Sequence, residues 1–191
     1  MALKKLLSLF LPFILVLFLI SGCNTEEGFH VEPVEFPRDL GQAVNNLGDI
    51  IWIYKFDHFE GDNLQIVLEY YEHGELENFH RVLDIDSPRK GHIAVNKIGD
   101  TWQIGATYNK QETEEKGGIR KPVETYIPEF SGTSVIEINE RTVIENDNNV
   151  IAGRILSNGG EMVSVPDVNE EADRKKLIEE NDYVYLIRIR K

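Results

Sequence analysis

The chain has 191 residues, 33 Asp and Glu against 20 Lys and Arg, a net charge of −13, and 41% hydrophobic residues. So acidic a body argues against a nucleic-acid binder, whose affinity comes largely from Lys and Arg on phosphates. A single cysteine excludes a disulfide-stapled fold, while the length suits one or two domains that bury a core without crosslinks.

The first residues carry Lys4 and Lys5, and then "LLSLFLPFILVLFLI", Leu6 to Ile20, has no charge at all. A membrane-spanning helix needs about 20 apolar residues; this run is shorter, contains Pro12 and ends in Ser21 and Gly22, so it predicts a cleaved signal. Leu19, Ile20, Ser21, Gly22 and Cys23 then read aliphatic, aliphatic, small, small, cysteine. On these residues the leader, and only the leader, resembles that of bacterial lipoprotein precursors, with Ile20, Ser21 and Gly22 as the lipobox. The resemblance implies that the Cys23 sulfur receives a diacylglyceryl group and that Cys23 becomes the first mature residue. It also implies a location on the cell membrane, lipid-anchored on the extracytoplasmic side. One acyl chain holds a protein only marginally, and two on one sulfur give a stable anchor. A thioether sulfur is no longer a nucleophile, a disulfide partner or a thiolate ligand. Removing residues 1–22 takes away two lysines and no acid, so the exported part is more acidic still, and repulsion predicts a domain held off an anionic bilayer.

Residues 23–39 read as an acidic tether, semi-extended around Pro33 and Pro37, with Phe29, Val34 and Phe36 able to dock its end. Residues 40–191 then form a single β-rich domain. "LGQAVNNLG", Leu40 to Gly48, suits one or two helical turns. From Asp49 the pattern takes period 2: "DIIWIYKFDHF" puts Ile50, Trp52, Tyr54 and Phe56 on one face, and "LQIVLEYYE" aligns Leu64, Ile66, Leu68 and Tyr70. A turn at His73 to Glu75 leads into "LENFHRVLDID", Leu76 to Asp86, as a hairpin. A second hairpin joins "HIAVNKI" to "TWQIGATYN" through Gly99 and Asp100, with Trp102, Ile104, Ala106 and Tyr108 alternating with polar residues.

"KQETEEKGGIRK", Lys110 to Lys121, lacks an apolar face and predicts a solvated loop. Strand patterns return at Ser134 to Asn146, Val150 to Ser157 and Tyr183 to Arg190. Before the last, an Asp167 to Glu170 capping-box spacing and the i,i+4 pairs Glu170 with Arg174 and Glu171 with Lys175 predict one surface helix. The sum is a mainly β fold, an antiparallel sandwich or open barrel of about 8–10 strands with that helix before the last strand.

No stretch carries a recognisable catalytic frame. "FSGTS" lacks the GxSxG elbow, and "NGGEMVS" is a turn without the lysine or helix of a phosphate loop. Histidines 30, 58, 73, 80 and 92 show no paired metal spacing, His73 and His80 with Glu75 being the nearest approach. Asp57, Glu60 and Asp62, with His58, and then Asp84 and Asp86 are oxygen-rich enough to suit Ca²⁺, although turn chemistry accounts for the same residues. Trp52, Tyr54, Tyr71 and Trp102, with Tyr70, Tyr108 and Tyr126, could build a platform for sugar rings, or else fill the core. No cofactor is implied and no nucleic-acid partner. The reading is a non-catalytic interaction module at the cell envelope, with an envelope protein or saccharide as partner. A saccharide- or cation-binding module is the alternative, and an envelope hydrolase or assembly factor the third.

Overall fold

Period-2 alternation needs two buried faces to pack against each other, and two facing sheets supply them. The computed structural model describes residues 28–37, 50–110, 116–125, 132–144, 149–157 and 167–191. Its strands are β1 (His30–Pro33), β2 (Ile50–Asp57), β3 (Asn63–Glu72), β4 (Glu75–Asp86), β5 (Pro88–Ile98), β6 (Thr101–Lys110), β7 (Lys116–Glu124), β8 (Gly132–Glu137), β9 (Thr142–Val143), β10 (Asn149–Ser157) and β11 (Tyr183–Arg190); helix α1 (Glu171–Glu179) precedes β11. A six-stranded sheet runs β7-β6-β5-β2-β1-β9 and a five-stranded sheet β4-β3-β11-β10-β8. All pairings are antiparallel, and the sheets do not close into a barrel.

Between the sheets lies one aromatic column. Trp52 stacks on Trp102 with ring centroids 6.2 Å apart, Trp102 meets Tyr185 at 5.9 Å, and Tyr185 stacks on Tyr70 at 4.8 Å. The column joins β2 and β6 of one sheet to β11 and β3 of the other, and each large apolar side chain buried there contributes about 1.5–3 kcal/mol. The β3–β4 turn is His73 and Gly74, with φ of 48° and 88°, the two left-handed residues of a type I′ hairpin turn.

Three sequence expectations change. The segment expected as tether up to residue 39 enters the fold earlier: β1 pairs with both β2 and β9, and Phe29 and Val31 are buried. The run expected as a loop from Lys110 to Lys121 holds an edge strand instead, with β7 paired to β6 from Asn109↔Lys116 to Thr101↔Glu124. Its Gly117–Gly118, Pro122 and charges are what an edge strand carries to stay unpaired on its outer side, while Ile119 and Val123 pack on the core. The continuous strand expected over 134–146 is two, β8 in one sheet and β9 in the other. Leu40 to Gly48 lies outside the described residues.

Helix α1 packs Leu177, with Val168 and Ile178, on the outer face of the five-stranded sheet against Val150, Ile155, Val184 and Leu186. The expected capping box does not form. Glu170 is the N-cap residue and makes no side-chain cap bond, while the Asp167 carboxylate accepts from the Asn169 backbone N–H at 3.0 Å, one turn too early. Asn169 Oδ1 in turn accepts from the Val150 N–H at 2.8 Å and ties the helix start to β10. The helix ion pairs are Lys175–Glu179 and Lys176–Glu180, and Arg174 donates to the carbonyls of Val168 and Asn169.

Candidate functional site

The residues singled out from sequence scatter. Ile20, Ser21, Gly22, Cys23 and Tyr126 lie outside the described residues. Trp52, Tyr54 and Trp102 are buried between the sheets, so no solvent-facing platform forms from them; Tyr71 is half-buried on the opposite face and donates to Glu69 at 2.9 Å. Burial raises the Tyr54 phenol far above its ordinary range.

The two acidic stretches do meet, at the corner where the chain changes sheet. The Ser87 N–H donates to the Asp62 carbonyl at 2.7 Å, and the Phe59 N–H to that of Arg89 at 3.1 Å. Positive φ at His58 and Ser87 makes the corner tight. Asp57 is engaged by His58 at 3.0 Å, Lys55 at 3.6 Å and Arg141 at 3.9 Å. Burial would raise its pKa, but the His58 hydrogen bond and these cations outweigh it and hold the carboxyl below its usual range. Asp84 is held by Asn63 and by Arg81 at 3.6 Å; Glu60, Asp62 and Asp86 are exposed. Among the described residues no three His, Cys, Asp or Glu side chains gather as a metal site, and His73 sits at its hairpin turn, 3.6 Å from Asp182.

Two constellations emerge that sequence reasoning did not find. On the outer face of the five-stranded sheet, the buried Glu69 carboxylate accepts from Arg188 at 2.8 and 2.9 Å, Arg190 at 3.0 Å and the Tyr71 hydroxyl. The Arg190 guanidinium also lies 4.8 Å from the Phe79 ring centroid. With each charged side chain ion-paired inside it, this cluster holds structure.

The second lies on the outer face of the six-stranded sheet. Register aligns Lys90, Asn109 and Lys116 in one row across β5, β6 and β7, then Lys55, His92, Thr107 and Gly118 in the next, then Ala94, Gly105 and Arg120. The small residues leave a trough made of two depressions, about 310 and 380 Å³, that share His92 and Thr107. Lys55 is paired to Glu32 at 2.8 Å, and that hydrogen bond raises its pKa. Among the described residues Lys90, Lys116 and Arg120 have no acid within ion-pair distance. Lys90 and Lys116 are two strands apart, roughly 10 Å between backbones. A larger depression of about 730 Å³, between β8, β9 and the start of α1, is lined instead by Glu137, Glu140, Asp167 and Glu170. Only the alternation of Lys90, His92 and Ala94 and of Lys116, Gly118 and Arg120 signalled the trough in sequence, and it becomes visible once β7 is read as a strand. Comparison of the chain with models of protein families, with curated proteins and with solved structures returns no match.

Proposed function

We propose that the chain is a lipid-anchored lipoprotein acting on the extracytoplasmic side of the cell membrane, an interaction module rather than a catalyst. The observation that carries this reading is "LISGC" placed directly after a basic start and an uncharged apolar run. The fold supports it. Cys23 stands five residues before Gly28, a reach of at most about 18 Å, so a diacylated sulfur would keep the end of the sandwich where β1 starts close to the bilayer. The sandwich then displays faces and edges, with Trp52, Tyr54, Tyr70, Trp102 and Tyr185 spent on the core.

Metabolic labelling with a palmitate analogue, followed by detergent partitioning, tests the anchor on wild type and Cys23→Ala. Labelled wild type in the membrane phase and an unlabelled, uncleaved variant are expected. An unlabelled wild type, or a Cys23→Ala chain that still takes label, would overturn the assignment.

A further inference from the structure

We propose that the trough on the outer face of β5, β6 and β7 binds a linear phosphate-bearing polyanion, one chain at a time. This deepens the reading of the protein as an interaction module by naming what it engages; it does not depend on the lipid.

The charge pattern is the first argument. In a chain with 33 acids and 20 Lys and Arg, Lys55, Arg81, Lys175 and Lys176 each lie within ion-pair distance of an acid, whereas among the described residues Arg89 and Lys121, at separate places, do not. Lys90, Lys116 and Arg120 find none among the described residues, although they share one face. The acidic remainder of the surface repels polyanions, so attraction is confined to a narrow strip, which suits a single chain and not a duplex.

The shape is the second. A β-carbon built on Gly118 would come no nearer than 3.8 Å to the Ala106 carbonyl oxygen, and Gly118 is not in the left-handed region. The backbone therefore does not require glycine there, and glycine inside a strand weakens it. What its missing side chain does is keep the trough open between Thr107 and Arg120.

The class of ligand follows from what the trough offers. The amides of β5 and β6 are spent within the sheet, and the trough's one free edge, that of β7, carries Gly117, Gly118, Pro122 and charged residues that discourage an added peptide strand. Of the two aromatic residues at its wall, Phe56 is buried and Tyr108 packs against the core beside Gly117, which leaves little ring face for stacking a sugar, and a flat bilayer cannot enter a concave strip. Lysine acts as a point charge that suits phosphate, while Thr107 and Asn109 supply hydrogen-bond donors along the floor.

The test measures binding of medium-length inorganic polyphosphate to the full chain purified in detergent. Neutralising three unpaired cations at about 0.7 released counterions each predicts roughly a twentyfold fall in affinity between about 50 and about 200 mM salt. Lys90→Glu with Lys116→Glu should weaken binding by at least about tenfold. Lys175→Glu with Lys176→Glu, the same charge change on helix α1, should leave affinity within about twofold, since those charges lie beyond screening distance of the trough. Gly118→Val fills the trough and favours the strand, so binding should drop while the melting temperature does not. No binding, equal losses from the two charge reversals, a Gly118→Val chain that binds as wild type, or equal affinity for polygalacturonate would each overturn the proposal. Cys23→Ala should bind as wild type does, so loss of the anchor and loss of the trough are read separately.

Discussion

The two sheets of this sandwich face solvent in opposite ways. The outer face of the five-stranded sheet is covered by helix α1 and buries its charges, with Glu69 and Arg188 only 2% and 6% exposed. The outer face of the six-stranded sheet is open over β5 to β7, has glycine and alanine where the other has Val184 and Leu186, and leaves three cations without partners among the described residues. A buried ion pair gains little over well-packed apolar side chains, yet losing one partner strands a charge in low dielectric. An exposed lysine costs nothing to leave alone and nothing to remove. The same residue types therefore mean structure on one face and availability on the other.

The sharpest way to break that contrast is Glu69→Ala. It leaves Arg188 buried without its carboxylate and should cost about 3–5 kcal/mol in a denaturant melt. Lys90→Ala on the open face should stay within about 0.5 kcal/mol. If the two variants unfold at similar denaturant concentrations, the assignment of one face to structure and the other to binding is lost. Replacing Glu69 and Arg188 together by apolar residues should restore much of the stability, because what Glu69→Ala exposes is an uncompensated charge.

The same contrast explains what the sequence could disclose. Strands β5 and β6 alternate apolar and polar residues strictly enough to be read directly, β2, β3 and β11 are legible as short runs rich in β-branched and aromatic residues, and the helix announces itself by composition. β1 and β7 do not, for different reasons. β1 is only His30–Pro33, and with Glu32, Pro33, Glu35 and Pro37 in and after it the segment resembles a linker until β2 and β9 are seen on either side. β7 is an edge strand, and the features that protect an edge, glycine, proline and charge, are those of a loop. Both constellations depended on register. Glu69 and Arg188 are 119 positions apart, and the trough gathers Lys55, Lys90 and Lys116 from three strands. The lipobox proposed at Ile20 to Cys23 needs no register, because a signal is read along the chain.

A smaller effect separates the faces at high pH. Burial, with the Glu69 charge and hydrogen bond, pushes the Tyr71 phenol up to about 12 from 10.0. The folded pKa lies above the unfolded one, so the stability linked to this group is fully present below pH 10 and is lost as pH rises through about 12. Tyr70 and Tyr185 are raised further, by burial first. Alkaline titration followed by phenolate absorbance should therefore show these tyrosines ionising late, together with unfolding. Glu69→Gln should move the Tyr71 step downward, since it removes the negative charge beside the phenol. An unmoved titration in that variant would mean that the cluster on the covered face is not coupled as its geometry requires.

The smallest effects test the faces with one methyl group each. In β10, a β-carbon on Gly153 would lie 2.5 Å from the Tyr185 carbonyl oxygen and 3.2 Å from Ile136 and Leu186 side-chain atoms, all beneath or beside the helix layer. Gly153→Ala should thus cost about 1–3 kcal/mol, as overpacking does. In β7, Gly118 has ordinary van der Waals room, and Gly118→Ala should stabilise by about 0.5–1 kcal/mol through the lost freedom of the unfolded chain. Opposite signs for the same substitution would show that the covered face needs its glycine for packing and the open face does not. A destabilising Gly118→Ala would mean that the strand itself demands glycine, and the trough would then be a by-product of the backbone with no claim on a ligand.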